Sequence, residues 1–491
     1  MPSPIEDYAL IGDCLTTALV SRDGSIDWLC WPTFDSDACF AALLGTPEHG
    51  RWKISPKSEA FTAKRAYRDG TLILETTFSC ESGTCTLIDF MPPRGEASDI
   101  VRLVRGEAGV VEMRMELLLR FGSGANVPWV RRLDDGTLQA VAGPDMVVLR
   151  SNVEMRGEGM TTVSDFKVHE GETYHYVMTY DPSHLPVPEA IDIEVALEET
   201  ESFWTEWSSR CNFKGRHRDF IQRSLITLKA MTYAPTGGIV AAPTTSLPEK
   251  IGGARNWDYR FCWLRDATFT LLALIDSGYV EEAVAWHEWL LRSVAGAPAD
   301  MQIMYSITGQ RRLLEWEADW LPGYEGSKPV RFGNAAHAQL QLDVYGELVD
   351  AFHQARVHKI QLNGETWPVE TALLKHLAQV WTEPDCGIWE RRDTPRHYVF
   401  SKVMCWVAFD RAVLAVEKFG RKGPVEEWRA IRDRIHADIC ANGYDAQENT
   451  FVESYGSKML DASLLLLPAV GFLKPDDPRI IGTIAAIERR M

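Results

Sequence analysis

A chain of 491 residues is too long for one ordinary hydrophobic core, so two domains or three are expected. Charged residues make up 24% and hydrophobic ones 45%, which describes a folded globular protein rather than a disordered one. The 51 Lys+Arg against 69 Asp+Glu give a net charge of −18; so acidic a surface repels phosphate backbones and anionic lipid heads, excluding nucleic acid and membrane as expected partners.

The start, "MPSPIEDYALIGD", has neither the basic nor the apolar region of a signal peptide. No apolar run approaches the roughly 20 residues that span a bilayer. The ten cysteines show no CxxC and no framework spacing, which points to a reducing, cytoplasmic setting. Up to about residue 200, short β-type runs alternate with turn signals. "TTALVSRDGSIDWLCW" reads as a hairpin turning at Asp23-Gly24. "TLILETTFSCESGTCTLIDF" repeats the device around Glu81 to Gly83, and "RRLDDGTLQAVAG" does so at Asp135-Gly136. "VVEMRMELLLRF" and "TYHYVMTY" are strands by their β-branched and aromatic content. Many short strands without long helices predict a β-sandwich over residues 1–197.

"DIEVALEETESFWTEWSSR" then reads as a linker helix, placed at 198–212. From 213 to 491 the period becomes 3.6. In "SKVMCWVAFDRAVLAVEKFG", Val403, Trp406, Val407, Val413 and Leu414 share one face and Gly420 ends the helix. Similar stretches at 217–232, 264–277, 280–294, 335–355, 367–382, 425–440, 458–467 and 478–490 bring the total to about nine helices. The loops 235–262, 296–332 and 383–397 are long and rich in Gly, Pro and Trp, and long loops on a helical scaffold are where function concentrates.

Standard nucleotide, zinc-protease and serine-hydrolase motifs are absent, and the twelve histidines have no ligand-like spacing, so no metal and no cofactor are expected. What remains is carboxylates among aromatic rings and arginines. "NWDYRFCWLRDATFT" (256–270) holds Asp258, Trp263, Arg265 and Asp266. "WTEPDCGIWERRDTPRHY" sets Glu390 directly after Trp389 in a loop, and "LEWEADWLPGYEGSKPVRFGNAA" adds Lys328 and Arg331. Sugars call for this mixture: their C–H faces stack on flat rings and their hydroxyls need charged or bidentate partners. Glycoside cleavage further requires paired carboxylates about the scissile bond. Plainer readings stand beside this one. Asp266 favours its helix N-terminus by charge alone, Asp258 and Arg260 make a simple salt bridge, and Glu390 is a solvated loop charge.

Four segments resemble glycoside hydrolase family 15, the family of glucoamylases, glucodextranases and bacterial trehalases. They are "YALIGDCLTTALVSRDGSIDWLCWPTFDSDACFAALLG", "GGARNWDYRFCWLRDATFTLLAL", "GYEGSKPVRFGNAAHAQLQLDVYGE" and "GIWERRDTPRHYVFSKVMCWVAFDRA". The first resembles the N-terminal domain called trehalase-like. The resemblance implies a β-sandwich followed by an all-α (α/α)6 toroid. It also implies that Arg265 and Asp266 hold sugar hydroxyls beside Trp263, and that Glu390 is the general acid. Lys328 and Arg331 match more loosely, as substrate contacts. The expected substrate is a small or oligomeric α-glucoside: trehalose, or a malto- or isomalto-oligosaccharide.

Family members invert the anomeric centre, and inversion needs a second carboxylate as base. The resemblance places that base in a motif this sequence lacks. About nine helices also fall short of the twelve of a closed (α/α)6 ring, so the chain is expected to be truncated, its barrel incomplete and its base missing. Glu453 and Asp461 are the late carboxylates left for that role. An unclosed ring exposes apolar helix faces, which favour a homo-oligomer. A disaccharide phosphorylase and a non-catalytic sugar-binding remnant are the alternatives to an inverting glycosidase.

Overall fold

The computed structural model describes residues 2–361 and 366–491. By contacts the chain falls into two compact units, Met1–Phe261 with Leu314–Asn334, and Cys262–Leu313 with Ala335–Met491.

In the first unit fifteen strands form one continuous hydrogen-bonded sheet. They are β1 (Tyr8–Gly12), β2 (Thr17–Ser21), β3 (Ser25–Cys30), β4 (Ala38–Phe40), β5 (Arg51–Pro56), β6 (Thr62–Tyr67), β7 (Leu74–Cys80) and β8 (Gly83–Phe90). There follow β9 (Ser98–Leu118), β10 (Trp129–Arg132), β11 (Leu138–Ala142), β12 (Asp145–Ser151), β13 (Arg156–Glu158), β14 (Thr161–His169) and β15 (Thr173–Pro182). The three hairpins expected from turn chemistry are all present, as β2–β3, β7–β8 and β10–β11. The 21-residue β9 belongs to two halves of the sheet. Its beginning pairs with β8 and β15, its end with β5 and β14. Ile11, Trp52, Ile54 and Met115 from one half and Phe78, Leu87, Val147 and Met178 from the other form a single buried cluster. The halves therefore close face to face as a sandwich, with strands such as β7 and β14 sending some of their residues inward.

One charge pair is sealed inside this sandwich. Arg102 on β9 donates to Asp89 on β8 at 2.8 Å, to the Trp52 carbonyl at 2.6 Å and to the Gly24 carbonyl at 2.7 Å. Both side chains are fully buried, and the extra backbone acceptors offset their desolvation.

The helix expected at 198–212 is α1 (Ile193–Ser209), begun by Asp192, whose carboxylate accepts from the backbone N–H of Glu194 and Val195. After it comes α2 (Arg218–Ala230). Contacts group the chain otherwise than the change of periodicity at 197–213 suggested, because α2 packs with the strands. Its Arg223 donates to the Thr71 carbonyl at 2.7 Å and lies 4.1 Å over the Tyr67 ring.

The second unit holds α3 (Leu264–Asp276), α4 (Val280–Ser293), α5 (Asp343–Val357), α6 (Thr366–Val380), α7 (Val399–Phe419), α8 (Val425–Asn442), α9 (Leu466–Ala469) and α10 (Pro478–Arg490). Two expected helices are shorter than their periodicity. Instead of a helix over 335–355, a 3-10 turn at Ala335–Ala338 is followed by α5 from Asp343, leaving Gln339 to Gln341 outside both. The 458–467 segment opens at a 3-10 turn capped by Asp461, and α9 stops after one turn that contains Pro468. Among the described residues no helix is long and apolar enough to cross a membrane.

α5 and the first half of α7 are buried on nearly every side, so they form the middle of this unit. Gly346 lets their backbones touch: a Cβ there would lie 2.2 Å from the Met404 carbonyl oxygen. The loop between α6 and α7 is tied to α5 by Asp385, which accepts from the Leu342 N–H at 2.9 Å.

Two outcomes follow. Gly346→Val should destabilise the protein by about 1–3 kcal/mol through overpacking, read by chemical denaturation. Burial, helped by the charge of Asp343, pushes the Asp385 carboxyl up to about 7 from its usual 3.8. Between those values the folded state keeps a proton that the unfolded state has lost, so this group's contribution to stability falls as pH rises through that window. Asp385→Asn keeps an acceptor for Leu342 and removes the titration, so its melting temperature should vary less across this range than that of the wild type.

Candidate active site

The site in the second unit starts where a strand becomes a helix. Cys262–Trp263 pairs with Met304–Tyr305, and the chain turns helical at Leu264. Trp263 is therefore held in extended backbone, while Arg265 and Asp266 lie in the first turn of α3. Successive helical residues point about 100° apart, so Arg265 is turned inward and buried while Asp266 is half exposed.

Glu390 arrives from the loop between α6 and α7. The ends of its excursion are closed by a backbone bridge between Asp385 and Arg396. Inside it, the Glu390 N–H donates to the Gly387 carbonyl at 3.1 Å and the Arg391 N–H to the Cys386 carbonyl at 3.2 Å. Gly387 has φ 69°, and a Cβ there would strike the Tyr398 ring at 2.7 Å. Glu390 itself has φ 53°, a left-handed conformation that a non-glycine residue adopts only where its surroundings impose it. Those surroundings are visible. Gln339 donates to the Glu390 and Arg391 carbonyls at 3.2 and 3.3 Å, Arg391 donates to Glu453 at 2.6 Å, and the Trp389 indole N–H donates to Asp461. Glu453 and Asp461, the late carboxylates considered for a base, thus serve to hold this loop.

The Glu390 side chain, 18% exposed, accepts from the Trp263 indole N–H through Oε1. The same oxygen lies 3.4 Å from Nη2 of Arg265. Nη1 of that guanidinium donates to Gln341 at 2.9 Å and to Asp343 at 3.0 Å, and Nε lies 3.8 Å from Asp266. Burial opposes the arginine's charge, but Asp343, Asp266 and Glu390 outweigh it and hold the guanidinium protonated above its ordinary range. For Glu390 burial is the largest influence. It raises the carboxyl above the usual glutamate value although Arg265 and the Trp263 hydrogen bond pull the other way. The arrangement favours the protonated form of a carboxyl near a half-exposed aspartate, with the exposed Trp389 preceding it in the chain. Among the described residues no group of three or more His, Cys, Asp or Glu is placed to hold a metal ion.

Of the expected site residues, the structure brings together Trp263, Arg265, Asp266 and Glu390, while Trp389, next to Glu390 in the chain, turns its indole N–H to Asp461. Asp258, Lys328 and Arg331 belong to the other compact unit. Asp258 is fully buried there in a bidentate pair with Arg260, at 2.9 and 2.8 Å, and accepts from the Gly333 N–H at 3.0 Å. That is the plain salt bridge its sequence also allowed. Arg331 lies over the Trp257 ring at 4.6 Å, within 3.3 Å of Glu317 and 3.6 Å of Glu315, while Lys328 is exposed. Sequence reasoning missed Gln339, Gln341, Asp343 and Glu347. Their signal was "QLQLDVYGELVD", in which Asp343, Glu347 and Asp350 recur at helical spacing among apolar residues.

Comparison with known proteins agrees with this layout. The model for "Trehalase-like, N-terminal" matches residues 1–177, and that for "Glycosyl hydrolases family 15" matches residues 215–491. A trehalase of Mycobacterium tuberculosis is 36% identical over 517 residues, covering 99% of this chain and 75% of that one. A trehalase of Thermoplasma acidophilum is 35% identical, covering 96% of this chain and 81% of that one. Among solved structures, a bacterial glucoamylase complexed with acarbose superposes with a TM-score of 0.73 at 14% identity, over 100% of this chain and 79% of that one, a likeness of fold. The chain belongs to glycosyl hydrolase family 15 and is a glycosidase.

Proposed function

We propose that this protein hydrolyses an α-glucosidic bond, with trehalose as its substrate and Glu390 as the general acid. The observation that carries the reading is the convergence of Trp263 and Arg265 on one oxygen of a largely buried glutamate. An acid must hold its proton until the glycosidic oxygen takes it, and burial of Glu390 favours the neutral form. Asp266, with its half-exposed carboxylate beside Arg265, meets the hydroxyls of the sugar being released. Trp389, 52% exposed and held by Asp461, offers a flat face to a sugar ring. Two family-15 relatives named trehalases, similar over almost the whole of this chain, support trehalose over starch-type substrates. Ten cysteines without a disulfide among them support placement in the cytoplasm.

Glucose release from trehalose, maltose, isomaltose and starch tests the substrate, and trehalose should give the fastest turnover. Glu390→Gln should lower kcat by about 10²–10⁴-fold, the usual worth of a general acid. In the wild type, kcat/KM should fall as pH rises through the raised value of Glu390, because only the protonated form donates. Unimpaired turnover by Glu390→Gln would refute the acid assignment, and glucose 1-phosphate formed only with added phosphate would indicate phosphorolysis instead.

A further inference from the structure

A guanidinium 3.4 Å from a general acid is a problem for catalysis, since a close cation drives a carboxyl toward its ionised form. In this site the same guanidinium is claimed more closely elsewhere, by Asp343 at 3.0 Å and Gln341 at 2.9 Å, both through Nη1. Asp343 opens α5 and is fully buried, and its second oxygen has no hydrogen-bond partner. One turn later Glu347 is buried as well, with Oε1 unpartnered. Burial, and then the charge of Asp343, push the Glu347 carboxyl well above its usual range. Burial thus disfavours its ionised form, and of these two buried carboxyls it is Asp343 that is bonded to Arg265.

Resting on the reading of Glu390 as the acid, we propose that Asp343 is a positioning residue for it: by holding Arg265 toward α5 it prevents a full ion pair between Arg265 and Glu390. Neighbouring charges are engaged elsewhere, Asp393 of the loop with Arg396 at 3.2 Å among them. On the loop itself, Arg391 is turned to Glu453 at 2.6 Å, and Asp385 is buried against the start of α5. From α3 come Arg265 and Asp266, and from α5 Asp343, Glu347 and Asp350, the last paired with Arg411 at 2.6 Å. Lys402 of α7 donates to the Trp381 and Glu383 carbonyls, and Asp461 accepts from Trp389. Among the described residues, Arg265 is the cation bonded to the Glu390 carboxyl, so where its charge sits governs the acid.

The pH dependence of kcat/KM for trehalose in Asp343→Asn, Gln341→Glu, Glu390→Gln and wild type, each checked for folding by circular dichroism, tests this. Asp343→Asn releases the guanidinium toward Glu390 and should move the alkaline limb about one to two pH units toward acid. Its activity should survive on the acid side and be lost tenfold or more on the alkaline side. Gln341→Glu adds a charge on the far side of Arg265 and should move the limb the opposite way. Activity lost evenly across pH with unmoved limbs, or limbs that move in the reverse senses, would overturn the proposal. If Asp343→Asn does not fold, Gln341→Glu decides alone, an unmoved limb refuting it. Wild-type activity in Glu390→Gln would instead defeat the underlying acid assignment, and the proposal with it.

Discussion

A single buried guanidinium organises the candidate site. Arg265 touches oxygens of Glu390, Asp343, Gln341 and Asp266, which come from three separate segments of the chain. A buried arginine cannot shed its charge, so each of those segments must present an acceptor to it or leave it unpaired at high cost. The start of α3, the approach to α5 and the loop after α6 are held in register by that requirement. The position of Glu390 is one result of it.

The loop bearing Glu390 shows how such a requirement is met with irregular backbone. The left-handed conformation of Glu390 is unfavourable by itself, and the close approach to Tyr398 is possible only because residue 387 is glycine. The loop persists because side chains from neighbouring segments, namely Gln339, Glu453 and Asp461, secure it through its carbonyls, Arg391 and Trp389. Rigidity of this kind suits the acid role proposed for Glu390, since proton donation depends on the carboxyl meeting the glycosidic oxygen in one geometry.

The two units treat their buried carboxyls differently. In the sandwich, Arg102 and Asp89 neutralise one another and the backbone supplies the remaining acceptors, which suits a structural pair. In the helical unit several buried oxygens, on Asp343, Glu347 and Asp385, have no hydrogen-bond partner. Unsatisfied buried carboxyls are costly and cluster where a protein needs perturbed acidity.

Much of this was legible in the sequence. Turn chemistry at Asp23-Gly24, Glu81 to Gly83 and Asp135-Gly136 located hairpins, because these turns depend on a few adjacent residues. The 3.6 period located α3, α4, α7, α8 and α10 closely, since a half-buried helix must repeat its apolar face. Trp263, Arg265, Asp266, Trp389 and Glu390 could be named from two short motifs. The sequence did not tell which neighbours these residues would meet. Asp258 and Asp266 stand eight positions apart in similar company, yet one is sealed against Arg260 and the other is half exposed. The roles of Asp343 and Gln341 arise 78 and 76 residues from Arg265, and no local pattern encodes a distance of that kind. Local propensity and periodicity act between near neighbours in the chain and so were readable; the sharing of one buried charge among distant segments exists only once packing has removed the water between them.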